Sequence, residues 1–488
     1  MYNYKDKKIL IMGLGLHGGG LAVANWFIKQ GAKVRITDLK SKQELASSLK
    51  KLQKPKRWQH ALKLTLGRHD PKDFEWADLV VQNPGVPRES PYLKIARRRG
   101  AKIENEATLF FKLAGAKNIL GITGTRGKST VTNLVWQLLK QKYPNAQIAG
   151  NIATSPMFQI INNVKSKKPR VVLELSSWHL ENLGEQRISP HLAVITNILP
   201  DHLNRYRSLA DYAAAKANIF KFQTQNDFAI LNFDNKLTKK LGLQAPSRRY
   251  WFSKKYFSEQ NGSFVKTGLI FFRQNGTEQR VLKVSDIKLP GIHNLENVLA
   301  AVTVAMIEQV PATKVALVIK TAKGLPHRLE LVREVNGVKY INDTAATTPD
   351  ATIAALRTLS IVKKSEIILI AGGADKKIPQ QKFNELASEI KKTSKAVILF
   401  KGQGSDKIEK ALKLLHACPP QSRWLSGRRR VTCCMLPDTK TMSEAVKRAS
   451  AIAKPGDIIL LSPACASFGL FVNEFDRGEQ FKKIIKKM

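Results

Sequence analysis

A strand running directly into a glycine turn and then a helix occurs three times in this 488-residue chain, and no other feature constrains its fold as much. The opening, KKILIMGLGLHGGGLAVANWFIKQGAKVRITD, reads as strand, glycine turn, helix and second strand, ending at Asp38. The pattern restarts at Ile119 with ILGITGTRGKST, and Gly372-Gly373-Ala374-Asp375-Lys376 repeats it after a strand near Ile367. Such units build mostly parallel sheets covered by helices, with ligands at the carboxyl ends of the strands. One core does not serve a chain this long; domains of roughly 100 to 200 residues predict two to four. The restarts place three, at residues 1–103, 104–312 and 313–488. The first boundary precedes the new strand near Asn118, and the second falls where Val310-Pro311-Ala312 interrupts a helix. The expected class is α/β: a Rossmann-like first domain, a central P-loop ATPase-type domain with a mostly parallel sheet, and a Rossmann-like third domain.

Composition excludes several alternatives. The start, MYNYKDKK, has no apolar stretch of signal-peptide type. Runs such as Ile367–Ala371 and Ile458–Leu461 are strand-length, far short of the ~20 residues of a spanning helix. A cytoplasmic protein without membrane insertion is expected. Cys418, Cys433, Cys434 and Cys465 form no C-x-x-C pair, so neither a zinc site nor a disulfide framework is predicted. The net charge of +43 invites a nucleic-acid partner, but its clusters (Lys50–Arg57, Arg97–Arg99, Lys165–Arg170, Arg428–Arg430, Lys482–Lys487) are dispersed over every region. A solvated basic surface is expected instead, with attraction to anionic substrates or membrane faces secondary.

Candidate chemistry gathers at the strand ends. Gly13-x-Gly15-x-x-Gly18 with Asp38 twenty residues on satisfies the dinucleotide fingerprint, and it equally fits a turn that only packs helix on strand. A dehydrogenase using NAD is the rival this motif raises. Gly121-Ile-Thr-Gly124-Thr125-Arg-Gly127-Lys128-Ser129-Thr130 is more specific: backbone N–H groups, a lysine and a hydroxyl are what polyphosphate and Mg²⁺ require. It departs from a strict Walker motif, because Ile122 stands where the first glycine would be. Glu174 ends the strand VVLEL and reads as a Mg²⁺ ligand or a cap. LAVITNI is followed by Asp201, His202 and Arg205. Lys216, in ADYAAAKANIF, reads from its surroundings alone as a surface lysine. Gly291-Ile-His293-Asn294-Leu-Glu-Asn297 opens a helix whose i, i+3 spacing puts Asn294 and Asn297 on one face. Pro326-His327-Arg328 and Asn342-Asp343 offer an arginine for phosphate charge and an acid to orient it.

Taken together, GTRGKST, ELSSWHLE, TNILPDHLNRY, GIHNLEN, LPHRLE, NDTAATT and SPACASFGLFVNEFDRGEQF resemble the Mur ligases over essentially the whole chain. The last string is similar to the type that adds D-glutamate to UDP-N-acetylmuramoyl-L-alanine in peptidoglycan synthesis. The resemblance implies three α/β domains and a monomer. It implies that ATP turns the substrate carboxylate into an acyl phosphate, which the incoming amine attacks. It assigns Gly124, Thr125, Gly127, Lys128, Ser129 and Thr130 to the phosphates. Ser129 and Glu174 would hold one Mg²⁺, and His202 with a CO₂-derived carbamate on Lys216 a second. Asn294, Asn297, Arg328 and Asp343 would complete the ATP site on domain closure. Leu16, His17, Asp38 and Lys40 would hold UDP, with Gly85 and Asn151 along the muramoyl path. Thr347, Lys376, Ser467 and Arg477 would form the glutamate pocket. Two departures lie in that pocket: Ala345 stands where the common pattern has lysine, and Glu474-Phe475 inverts the usual aromatic–acidic order. They leave an L-glutamate-adding relative, or another Mur-type ligase, as the alternative.

Overall fold

In the computed structural model, residues 3–16, 18–53, 62–83, 85–87, 89–151, 156–201, 205–289, 293–360, 366–376, 378–417 and 434–488 are described. His17 and His202 lie outside them. The chain forms two compact units, one of residues 1–288 with 293–322, the other of residues 323–488 with 289–292.

The first unit holds two sheets. β1 (Lys8–Met12), β2 (Lys33–Asp38), β3 (Leu62–Leu66), β4 (Leu79–Gln82) and β5 (Lys102–Glu104) form a parallel sheet in the order 3-2-1-4-5. The chain direction of assembly reverses between β1 and β4, and a cleft opens at such a switch point. The second sheet comprises β6 (Ile119–Thr123), β7 (Gln147–Gly150), β8 (Val171–Glu174), β9 (Leu192–Ile195), β10 (Phe228–Asn232), β11 (Arg248–Ser253), β12 (Gly262–Lys266), β13 (Leu269–Gln274) and β14 (Thr277–Lys283). Its order is 14-13-12-11-10-9-6-8-7, parallel from β7 to β12 and closed by two antiparallel hairpin pairings. β6, β8 and β9 are buried along their whole length. That is why ILGIT, VVLE and LAVI read as continuous apolar runs, since helices cover both faces of a parallel sheet.

The two sheets share one hydrophobic core. Trp26 and Phe27, on the helix Gly19–Lys29, belong to the same buried cluster as Met157, Phe158 and Ile161 on the helix Met157–Lys167. Trp26 meets Phe158 edge to face at 5.3 Å and donates its indole N–H to Asn162 at 3.2 Å. The helix Glu106–Ala114 joins the sheets and opens with a capping box between Asn105 and Thr108.

The second unit holds one sheet: β15 (Glu330–Val335), β16 (Val338–Asn342), β17 (Ile367–Gly372), β18 (Ser394–Phe400), β19 (Cys434–Thr439) and β20 (Ile458–Leu461), in the order 15-16-20-17-18-19. Only the β15–β16 edge pair is antiparallel. Apolar clusters around Leu369 and Leu460 on one face and Ile370 and Leu461 on the other bury it on both sides. Cys465 is a free, buried thiol. Among the described residues no helix is long and apolar enough to cross a membrane.

Candidate active site

The central glycine loop leaves β6 and enters the helix Lys128–Leu139 through Gly127, whose φ of 83° is a left-handed value that glycine accepts without strain. A Cβ there would overlap Asn297 Oδ1, and one at Gly124 would overlap Thr196 Oγ1. The loop is therefore clamped between two neighbours. On one side the exit of β9 binds it: Thr125 N donates to Asn197 O (2.9 Å), Arg126 N to Asn197 Oδ1 (2.9 Å) and Thr196 Oγ1 to Arg126 O (2.6 Å). On the other, Asn297 donates to Asn294 Oδ1 at 2.8 Å, so the pair shares a buried helix face against the loop as its spacing predicts. Thr196 and Asn197 were not singled out from the sequence, although a polar pair closing the run LAVI was the available signal.

Two ammonium groups converge on this loop. Lys128 Nζ donates to the carbonyls of Gly124 and Thr125, both at 3.1 Å. Lys216 is only 1 % exposed and donates to the same Gly124 carbonyl at 2.9 Å, its Nζ lying 4.6 Å from the Tyr212 ring centre. It is thus no surface lysine. Burial, then the neighbouring Lys128 charge, drive its amine well below the ordinary lysine value, while Asp201 and Glu174 pull the other way. Ser129 and Thr130 occupy the first turn of the helix that follows the loop.

Glu174, 2 % exposed, ends β8 beside β6. Asn151, expected along the substrate path, donates its amide to Glu174 Oε1 (3.1 Å) and its backbone N–H to Glu174 O (2.9 Å). Glu174 Oε2 is buried with no hydrogen-bond partner among the described residues, and such an orphaned carboxylate oxygen is suited to a divalent cation. No three His, Cys, Asp or Glu side chains gather elsewhere among the described residues. A cation here would rest on Glu174, the Ser129 hydroxyl and oxygens of the bound nucleotide.

At the first sheet, Asp38 ends β2 and is consumed locally: Oδ2 accepts from Gly15 N (3.1 Å) and Oδ1 from Lys40 N (2.9 Å). Ser48 Oγ donates to Gly15 O at 2.7 Å, and Gly85 N to Asn83 Oδ1 at 3.1 Å. Leu16 is partly buried and Lys40 is exposed. No cationic side chain is bonded into this loop among the described residues, in contrast to the central one.

In the second unit, loops after β16, β17 and β20 are laced together: Ala464 N donates to Ala346 O (2.9 Å) and Ala374 N to Ala466 O (3.0 Å). Lys376 Nζ donates to Thr347 Oγ1 at 2.8 Å, and Ser467 is buried beside this lacing. Arg477 is 1 % exposed, and its guanidinium donates to Thr344 Oγ1 (3.0 Å), Thr344 O (3.1 Å) and Cys465 O (3.3 Å). Burial lowers it to about 10. It ties two pocket loops together. Phe475 packs edge-on to His327 at 5.6 Å, and Glu474 O accepts from Thr344 Oγ1 at 2.9 Å. Asp343 accepts from Ser462 Oγ (2.9 Å) and Leu329 N (3.2 Å), and burial pushes it up to about 7. Arg328 is exposed between His327 and Leu329, both at positive φ (68° and 44°). Two non-glycine residues in that region mark a strained loop around the exposed guanidinium.

A glycine loop with a lysine folded back on its carbonyls, an orphaned carboxylate one strand over and clamping asparagines make the pattern of a P-loop nucleotide site. Comparison with known proteins narrows that class. Residues 7–105 match the profile of the MurD-like N-terminal domain of Mur ligases, residues 122–305 that of the Mur ligase middle domain, and residues 327–465 that of the Mur ligase glutamate ligase domain. The UDP-N-acetylmuramoylalanine–D-glutamate ligase of Roseiflexus sp. is 41% identical over 98% of each chain. That of Acetivibrio thermocellus is 35% identical over 99% of this chain and 97% of its own. Among solved structures, the UDP-N-acetylmuramate–alanine ligase of Thermotoga maritima superposes with a TM-score of 0.61 at 20% identity, covering 98% of this chain and 99% of its own. A pseudomurein peptide ligase of Methanothermus fervidus reaches 0.54 at 18% identity over 99% of each chain, a likeness of fold. The chain belongs to the Mur ligase family.

Proposed function

We propose that this protein is an ATP-dependent ligase that joins D-glutamate to UDP-N-acetylmuramoyl-L-alanine in cytoplasmic peptidoglycan synthesis, acting as a monomer. The naming of the near-full-length relatives supports this reading. In it, the alanyl carboxylate attacks the γ-phosphorus and ADP departs, leaving an acyl phosphate. The D-glutamate amine then attacks the acyl carbon, and phosphate leaves as the nitrogen loses its proton. Mg²⁺ supplies charge neutralisation on the phosphates.

The residues divide the work. Lys128 moves from the loop carbonyls to the β,γ-phosphates, with the loop N–H groups from Gly124 to Thr130 beneath them. Ser129 and Glu174 hold one Mg²⁺; Lys216 and His202 serve a second. Burial drives the Lys216 amine well below the ordinary lysine value, which favours the neutral form that would react with CO₂, forming an N–C bond and releasing a proton, to become an anionic ligand. Asn294, Asn297, Arg328 and Asp343 serve the nucleotide, Leu16, His17, Asp38 and Lys40 the UDP part, and Gly85 and Asn151 the muramoyl path. Thr347, Lys376 and Ser467 receive D-glutamate, with Arg477 positioning their loops. The division into domains at residues 103 and 312 belongs to the same reading.

The observation that carries the proposal is the convergence of Lys128 and Lys216 on one Gly124 carbonyl beside an orphaned Glu174 oxygen. A NAD-dependent dehydrogenase is not favoured, because the near-full-length relatives are D-glutamate ligases. The test is phosphate release from ATP with UDP-N-acetylmuramoyl-L-alanine, Mg²⁺ and bicarbonate. Stimulation by D-glutamate and not by L-glutamate or L-alanine is expected. Stimulation by L-glutamate alone would overturn the choice of amino acid and tie it to Ala345 and Glu474.

A further inference from the structure

Glu106 begins the helix that joins the first two sheets, and its carboxylate sits where two other helices open. Oε1 accepts from Phe158 N at 3.4 Å, and Met157 N adds a second backbone bond, at the first turn of the helix Met157–Lys167. Oε2 lies against the first residue of the helix Gly19–Lys29: a Cβ on Gly19 would meet it at 2.8 Å. The N-cap before it, Gly18, closes the first glycine loop, and a Cβ there would meet Pro156 at 3.3 Å. One carboxylate thus joins the opening of the helix after the UDP loop to the opening of the helix that follows Asn151.

Among the described residues no cation pairs with it, and the helix Ser177–Glu185, which also packs on its helix, brings Glu181, Glu185 and His179, whose imidazole burial lowers to about 4. The ionisable side chains of the three helices stand turns away: Lys29 is ten residues, about 15 Å, beyond Gly19, and Lys165 and Lys167 are about 12 to 15 Å beyond Met157. Lys112 pairs with Glu104, and Lys102 is exposed on the strand before the helix. Residues 151–156 carry no ionisable side chain, and the loop 13–18 carries only His17. The residue keeps some surface, yet burial of the carboxylate raises it to about 7 against the two backbone bonds. An anion arriving at the same helix opening disfavours the ionised form further.

We propose that Glu106 is a positioning residue for the UDP-substrate whose carboxylate takes up a proton as the substrate's diphosphate seats on the first glycine loop. This rests on the reading of that loop as the UDP site. Glu106 ionises as pH rises through about 7, so affinity for the UDP-substrate is highest below that value and weakens above it. The diester diphosphate keeps both charges throughout the range, so the proton goes to the protein.

Calorimetric titration with UDP-N-acetylmuramoyl-L-alanine, in two buffers of different ionisation enthalpy near about pH 7.5, counts protons. Wild type and His17→Gln are expected to take up about half a proton per substrate bound, and Glu106→Gln none. Glu106→Gln keeps the acceptor for Phe158 and Met157, and at about pH 8.5 it should bind about tenfold more tightly than wild type. A purely structural carboxylate would not move this pH profile. Zero uptake by wild type, a measurement needing no variant, overturns the proposal, as does equal uptake by wild type and Glu106→Gln. Loss of uptake in His17→Gln alone overturns it too. Gly15→Val, checked for folding by thermal melting, separates the two readings: loss of binding keeps the loop as the UDP site, and unchanged binding removes the loop reading and the proposal with it.

Discussion

The first and second glycine loops share one local design, a buried parallel strand, a left-handed glycine and a helix opening, and differ almost entirely in charge. The first loop, between Met12 and Gly19, is bonded to a carboxylate, Asp38, and lies against another, Glu106. The second, between Thr123 and Lys128, collects two ammonium groups and one orphaned carboxylate oxygen. Backbone N–H groups at a helix opening hold a phosphate that undergoes no reaction. Moving a phosphoryl group needs positive charge where negative charge builds in the transition state. On the proposed reading the same fold element is thus a holding site in one place and a reaction site in the other, and the difference is made by Lys128 on the loop's own helix, Lys216 on the helix Leu209–Lys221 and Glu174 on a neighbouring strand.

The sharpest way to break this contrast is to remove charge from the second loop. Lys128→Ala or Glu174→Ala is expected to cost about 10³-fold or more in ADP formation while leaving binding of the UDP-substrate nearly intact. Loss of UDP-substrate binding instead would merge the two sites. Next in size, Lys216→Ala should lose about 10²-fold, and added short carboxylates should restore part of it by filling the carbamate position. Full unrescued activity would end the metal-ligand role. Asp38→Ala tests the holding loop: with its bonds to Gly15 and Lys40 gone, KM for the UDP-substrate should rise about tenfold and kcat should stay within about twofold. A fall in kcat alone would show that the first loop takes part in the chemistry.

The smallest effect concerns the third loop and appears in stability. Asp343 is raised from 3.8 to about 7, so between those values the folded chain holds a proton that the unfolded chain has released. Stability therefore falls as pH rises through that window, by on the order of 4 kcal/mol for this group, and the penalty is complete above about pH 7. Asp343→Asn should flatten the decline in urea midpoint between about pH 5 and about pH 8. An unchanged slope would assign the acid–base sensitivity elsewhere.

Signals carried within a few residues were legible beforehand. The phosphate loop, the strand-end acids and the shared face of Asn294 and Asn297 follow from glycine conformations, apolar runs and helical spacing. Lys216 was not legible, because an amine among alanines announces nothing until β6 brings the Gly124 carbonyl within 2.9 Å of it. The bond between Asn151 and Glu174 was not legible either, because the parallel register of β7 on β8 sets it. Nor were the three bonds of Arg477 to Thr344 and Cys465, which join loops more than a hundred residues apart in sequence.

By itself, then, the sequence determined the α/β class, the three strand–glycine–helix restarts and the family, since each depends on local order along the chain. Tertiary structure alone decided which lysine is buried, which carboxylate oxygen is left without a partner and which glutamate faces two helix openings. Those outcomes depend on desolvation and on distances between strands and helices far apart in sequence, such as Gly19 and Glu106, and neither quantity is written in any short stretch of residues.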